Sequence, residues 1–437
     1  MGRLALALGL MFCAAPVLAQ EAAQDASEPE FHTLNGHGGP VMAIAVAPSG
    51  QVATGSFDNS VGLWDEVTPR WLEGHAAAVT ALTFGPGGTL VSGGDDFTVR
   101  LWGEEPRTLG QHQGKVTALA VSADGATVAS GSWDGSIMLW PLSDGEPRAL
   151  PAPGAGVNAV AFGPEGALYA ATMSGVLLRY DLAGGSPVPL VQHGFGINRL
   201  ALGDGWIAYG AVDGGTRVLD LSTGEQIADL TLDRRPILAL AHHAASHQLA
   251  VGDGEGFIMI VDTQEWRIAR DFRATRKGPV WALAFSPDGA VIHAGGLDDV
   301  AYAWPVAMLD QFAPGISGAR SFLREAETMP NGERQFMRKC SICHALTPGP
   351  SRKAGPTLHG IFGRRAGTVP GYSYSDTLDG SDIVWSETTI DALFDQGPDH
   401  YIPGSKMPMQ VISGGGDRDD LIDYLKQAST APATTGE

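Results

Sequence analysis

Gly55-Ser56-Phe57-Asp58-Asn59-Ser60-Val61-Gly62-Leu63-Trp64 recurs along this chain in altered copies. Gly93-Gly94-Asp95-Asp96 runs on to Val99-Arg100-Leu101-Trp102, and Gly131-Ser132-Trp133-Asp134 to Ile137-Met138-Leu139-Trp140. The closing tryptophans are 38 residues apart both times. Weaker copies end at Tyr180, Leu219 and Val261, and a clear one returns at Trp304, which makes seven copies. A period near 40 residues means one supersecondary unit per copy, stacked on its neighbours because none can bury its apolar face alone. Val41-Met42-Ala43-Ile44-Ala45-Val46 is apolar throughout, as in a strand buried on both faces. Pro48-Ser49-Gly50, Gly85-Pro86-Gly87-Gly88 and Ser286-Pro287-Asp288-Gly289 are turn chemistry between strands. Each copy therefore supplies about four short strands, and the stretch 31–306 is expected to be an all-β, seven-bladed propeller. Phe31 to Leu34 precede the first copy and are expected to pair onto the last blade as its outer strand, hiding a sheet edge.

These repeats resemble the WD-repeat β-propeller family through Gly36-His37, Gly74-His75, Asp58, Asp96, Asp134, Asp298 and the Trp series. The resemblance implies that a His, an Asp, a hydroxyl and the Trp bond to one another within a blade, with His37, Ser56, Asp58 and Trp64 in those places. Blades four to six depart from the pattern, with Ser174 standing where an Asp is expected. His242, His243 and His247 invite a metal reading, but adjacent strand residues face opposite ways, so at most one of the first two can join His247. No phosphate-cradling loop or hydrolase motif occurs in the repeats.

A different text follows. Cys340-Ser341-Ile342-Cys343-His344 is C-x-x-C-H, the spacing of covalent c-type haem attachment. Two thiols can each join one porphyrin vinyl group, and the adjacent imidazole then lies under the iron. A zinc site would need two more ligands at finger-like spacing, and none stands there. Tyr401-Ile402-Pro403-Gly404-Ser405-Lys406-Met407 offers a thioether on a Pro-Gly loop, and a His/Met pair raises the potential for electron transfer. Met409 is the rival sulfur. Three helices are expected: Glu333 to Lys339 with Asn331 as cap, one capped by Ser386, and one capped by Asp417.

Residues 331–428 resemble a class I cytochrome c of the mitochondrial and α-proteobacterial type. The matching text is Lys339 to His344, Gly355-Pro356-Thr357-Leu358-His359-Gly360-Ile361-Phe362-Gly363-Arg364, Pro370 to Ser375, Trp385, and Tyr401 to Pro408. The resemblance implies an all-α domain with one covalent haem c on Cys340 and Cys343, and iron ligation by His344 and Met407. It further implies that the Pro356 carbonyl holds the other His344 nitrogen, and that Arg364, Tyr374 and Trp385 hydrogen-bond the propionates. Gly332 and Phe336 would meet Leu421 and Tyr424 where the first and last helices cross. Leu378 stands where the family has a buried Asn, and Leu393 or Phe394 where it has a Tyr.

The chain of 437 residues carries a net charge of −20, which argues against nucleic acid and anionic membranes as partners. Most of the excess lies in 20–318, with 15 basic and 33 acidic residues, which reads either as a solvated, solubility-promoting surface or as an acidic face that docks a basic redox partner. Met1 to Ala19 reads as a cleaved secretory signal peptide, with Arg3, an apolar run from Leu4 to Phe12 and a small residue at the cut. No segment has the ~20 apolar residues an integral membrane helix needs. Cys13 falls in the leader, so the exported chain keeps only the two thiols of the motif. Residues 307–330 read as a linker and 429–437 as a low-complexity disordered tail. The expectation is a periplasmic electron carrier, favoured over an enzyme, with the propeller as a scaffold for docking. The alternatives are a redox enzyme with substrate in the propeller channel, or a sensor whose propeller responds to the state of the haem.

Overall fold

The computed structural model describes residues 30–309 and 329–430, apart from 235, 276, 277 and 350. The expected leader 1–19, most of the linker (310–328) and most of the tail (431–437) lie outside the described residues. The repeats form seven four-stranded antiparallel sheets. Six are built from four consecutive strands. The seventh takes Val280–Phe285, Val291–Gly296 and Val300–Pro305 and borrows His32–Asn35 as its outer strand. His32 stands opposite Ala303 and Asn35 opposite Val300, so the two ends of the propeller close one sheet. The innermost strands contact one another in sequence, and Val280–Phe285 returns to lie against Val41–Val46.

Packing between blades explains the glycine in the repeat. A Cβ on Gly55 would stand 2.7 Å from Cγ1 of Val79, the first residue of the next blade's inner strand. Gly93 faces Val116 in the same way, Gly131 faces Val157, Gly210 faces Ile237 and Gly252 faces Val280. Gly295 faces Val41 and so closes the ring. Each β-branched knob fills the space its neighbour leaves open. In every blade the register of the inner pair slips just after that knob, as at Val41/Ala43 and Val280/Ala282. Such a slip bends and twists the strand, here at the same place in all seven blades.

Buried polar networks tie the first three blades. His37 Nδ1 lies 3.0 Å from Asp58 Oδ2 and His37 Nε2 lies 2.7 Å from Thr54 Oγ1, while Trp64 Nε1 donates to the same Thr54 oxygen at 2.8 Å. The hydroxyl in this network is therefore Thr54 and not Ser56. Ser56 sits one side-chain repeat nearer the strand end, where it donates to the Gly39 carbonyl at 3.0 Å. Trp64 pairs with Val52 across the ladder, and its indole reaches the diagonal residue Thr54 because Gly62 presents no side chain between them. His75, Asp96, Ser92 and Trp102 repeat the arrangement. So do His112, Ser130, Trp140 and Ser136, a set not expected because Gln111 and not Gly precedes that His. Later blades substitute other pairs, Thr172 with Ser174, His193 with Asp213 and Arg234 with Asp253. Two of the three clustered histidines are held by hydrogen bonds to other groups. His242 Nδ1 is 3.0 Å from the Leu202 carbonyl, and His243 lies between Ser246 and the Pro287 carbonyl.

Burial works against the charge on Asp96, but His75, the Ala76 N–H and Thr98 outweigh it and bring the carboxyl down to about 2. A depressed carboxylate contributes stability above its ordinary value of 3.8 and loses it as pH falls toward 2. The shift corresponds to about 2 kcal/mol. Asp96→Asn is expected to lower the urea midpoint of the propeller at neutral pH and to flatten its fall with pH between about 4 and 2. Denaturation followed by circular dichroism at several pH values checks both.

The C-terminal region carries four helices among the described residues: α1 (Asn331–Lys339), α2 (Glu387–Gln396), α3 (Pro398–Tyr401) and α4 (Gly415–Ala428). Ser386 caps α2 as expected. Its Oγ accepts from Thr389 N, and Thr389 Oγ1 accepts in return from Ser386 N. Asn331 is not a cap but the first residue of α1, whose cap is Pro330. Its amide donates to Asp417 and Asp420 at 2.7 Å each and ties α1 to α4. Asp417 lies in the first turn of α4 after the cap Gly414, where its charge complements the helix dipole. The one-turn α3 was not expected; Pro398 starts it with a preset φ. The crossing of α1 and α4 is as expected. The Phe336 and Tyr424 rings are 5.5 Å apart, and Gly332 lies directly on the Asp420 carbonyl.

Candidate electron-transfer site

A cavity of about 680 Å³ is lined mainly by the helical region. It begins at the C-terminal end of α1, which delivers Cys340, Cys343 and His344 to its wall. The backbone N–H of His344 donates to the Cys340 carbonyl at 2.9 Å and so closes a turn after α1. Neither cysteine pairs in a disulfide. Burial, and then the neighbouring Cys343, push the Cys340 thiol up to about 12. The His344 imidazole is fixed by its Nδ1, 2.8 Å from the Pro356 carbonyl. Gly355 lies flat against the ring, where a Cβ would stand 2.7 Å from Nδ1. Burial pushes this imidazole toward its neutral form, and the Pro356 bond leaves Nε2 as the free lone pair.

Across the cavity the run Pro403 to Lys406 carries Met407 into the wall. Gly404 takes φ 82°, Ser405 N donates to the Ile402 carbonyl, and Thr377 Oγ1 donates to the Pro403 carbonyl at 2.9 Å. Met409 does not line the cavity; it is 56% exposed, with its sulfur resting near Gly397. Of the two sulfurs, Met407 alone shares the chamber with His344.

Arg364, Tyr374 and Trp385 also line the cavity. The Arg364 guanidinium is anchored by donating to the carbonyls of His359 and Thr357 at 2.8 and 2.7 Å. Tyr374 Oη accepts from Val369 N, which leaves its own proton free to donate. Sequence reasoning missed three further polar groups. Ser375 Oγ, Ser405 Oγ and Gln410 Oε1 are buried, have no hydrogen-bond partner among the described residues and line this same cavity. Buried polar atoms are rarely orphaned, so they call for an occupant with hydrogen-bonding groups. Much of the remaining wall is apolar, with Leu358, Ile361, Leu378, Ile390, Leu393 and Phe394. Two unpaired thiols, a fixed neutral imidazole, a thioether, apolar walls and a polar margin fit a flat apolar macrocycle with an anionic edge.

The cytochrome c family matches residues 330–429. The matched region is 44% identical over 100 residues to cytochrome c of Sesamum indicum, covering 23% of this chain and 88% of that protein. Cytochrome c of Ginkgo biloba is 42% identical over 99 residues, 23% of this chain and 87% of its own length. The chain belongs to the cytochrome c family. Its cytochrome c domain is joined to repeats that match the WD domain, G-beta repeat family at 29–65, 68–103, 103–141 and 267–304. The blades between 141 and 267 fall outside those matches, in the region where the polar networks are replaced. Cytochrome c membership implies a covalently bound haem c and haem-based electron transfer, and the WD repeats imply a scaffold. No helix of the described residues is long and apolar enough to cross a membrane.

Proposed function

We propose that the chain is an exported, periplasmic carrier of single electrons with one haem c, whose propeller docks the proteins it exchanges electrons with. The observation that supports this most is that Cys340, Cys343, His344 and Met407 share one chamber while Met409 stands outside it. In this reading Cys340 and Cys343 form the two thioether links, and His344 Nε2 and Met407 Sδ ligate the iron. Haem supplies a one-electron couple, and everything else falls to the protein. Pro356 fixes the imidazole and raises its basicity. Arg364, Tyr374 and Trp385 would hold the propionates, joined by Ser375, Ser405 and Gln410. Export rests on the leader 1–19, and the docking preference for basic partners rests on the acidic balance of 20–318.

A closed sixth position is the functional core of this reading, since a carrier needs no open site for substrate. The dithionite-reduced holoprotein at neutral pH is expected not to bind carbon monoxide on mixing. Rapid binding would mean that Met407 is not a ligand, and a substrate-binding role would replace the carrier.

A further inference from the structure

The cavity is not walled by the cytochrome domain alone. Its lining continues onto the propeller through Phe57 and Asn59 of blade one and Ala76, Ala77, Asp95 and Phe97 of blade two. These residues lie in loops at one face of the propeller, where every second turn between successive antiparallel strands falls. The cytochrome domain is fastened to that face by the segment just before Gly355. The Arg352 guanidinium sits 4.1 Å from the centre of the Trp71 ring, and its Nη1 is 3.2 Å from Glu73 Oε1. Gly38 packs directly on the Arg352 carbonyl, leaving no room for a Cβ. The next residue, Lys353, is partly buried within electrostatic reach of both Cys343 and Asp58. Charge on the two sides is complementary, with Lys339 and Lys406 on the cytochrome rim and Asp95 and Asp96 on the propeller loops.

We propose that the loop face of blades one and two is a built-in lid over the thiol-bearing mouth of the haem cavity, and that it limits electron exchange through that mouth. The inference rests on the haem reading above. Its consequence is that a large redox partner meets the propeller first on this side, and the mouth opens only as the two domains part.

The ion pair is a weak handle, because Glu73 is 73% exposed and such pairs contribute little. The backbone contact at Gly38 is the strong one. Gly38→Val puts a wedge between the domains while leaving every group on the cytochrome side of the cavity wall unaltered. Arg352→Glu is a second variant, made on the cytochrome side, which removes the cation from Trp71 and repels Glu73. Two readouts are taken on full-length holoprotein: acetylation of Lys353 by mass spectrometry, and stopped-flow oxidation of the reduced protein by ferricyanide. Both variants are expected to raise Lys353 labelling and to speed oxidation by about threefold or more, an access effect within the range of on-rate changes at one interface. The visible spectrum should stay unchanged. Haem-loaded variants whose labelling and oxidation rates equal those of the parent would overturn the lid. The haem absorbance of the same samples separates that failure from failure of the haem reading itself.

Discussion

Met407→Ala is expected to lower the reduction potential by roughly 0.1–0.3 V, a fraction of the ~0.8 V range over which axial ligands set haem potentials. The reduced variant is also expected to bind carbon monoxide at once. The loop that holds Met407 is fixed from both sides, by Thr377 on the Pro403 carbonyl and by Lys406 Nζ on the Ser373 carbonyl at 3.1 Å. Loss of the thioether should therefore open one coordination position without collapsing the wall. Met409→Ala is the matched control. Its side chain is exposed and outside the chamber, so potential and carbon monoxide behaviour should stay as in the parent. Electrochemical titration of both variants checks the assignment, and a large shift in Met409→Ala alone would reverse it.

Gly332→Val should destabilise the cytochrome domain by about 3 kcal/mol, the upper end of the cost of overpacking a core. Where α1 crosses α4, a Cβ at Gly332 would fall on the Asp420 carbonyl and stand 2.8 Å from the Tyr424 Cβ. Backbone on one side and a ring-bearing carbon on the other cannot both give way. The same crossing carries the Phe336–Tyr424 contact and the two bonds from Asn331, so parting the helices loses those as well. Guanidinium unfolding followed by haem absorbance should show the loss, while the propeller transition, followed by circular dichroism, stays in place because the propeller strands pack on one another from blade to blade. An unchanged cytochrome midpoint would show that the helices can re-space at no cost.

Legibility in the sequence followed the kind of interaction. Blade packing is periodic, since at six of the seven junctions a glycine faces a β-branched residue in the next blade, and that alternation survives in Gly210 with Ile237 and Gly252 with Val280 after the polar signature has gone. The polar networks were legible only where Gly-His introduces them. His112 lacked that cue, and the choice between Thr54 and Ser56 depended on which of two alternate hydroxyls lies deeper, which spacing does not encode. The four residues expected to grip the iron and its macrocycle lie on one wall or its opposite because a contiguous motif and a stiff loop carry them. Ser375, Ser405 and Gln410 could be recognised only once burial showed them without partners. Arg352 and Trp71, far apart along the chain, had no local signal at all.

The central claim is one porphyrin joined through Cys340 and Cys343. Intact mass spectrometry of the denatured protein, with tryptic mapping, tests it most directly. The expected result is a mass increase of a single haem that survives acid extraction and travels with the peptide bearing both cysteines. A chain of unmodified mass with two alkylatable thiols would contradict it.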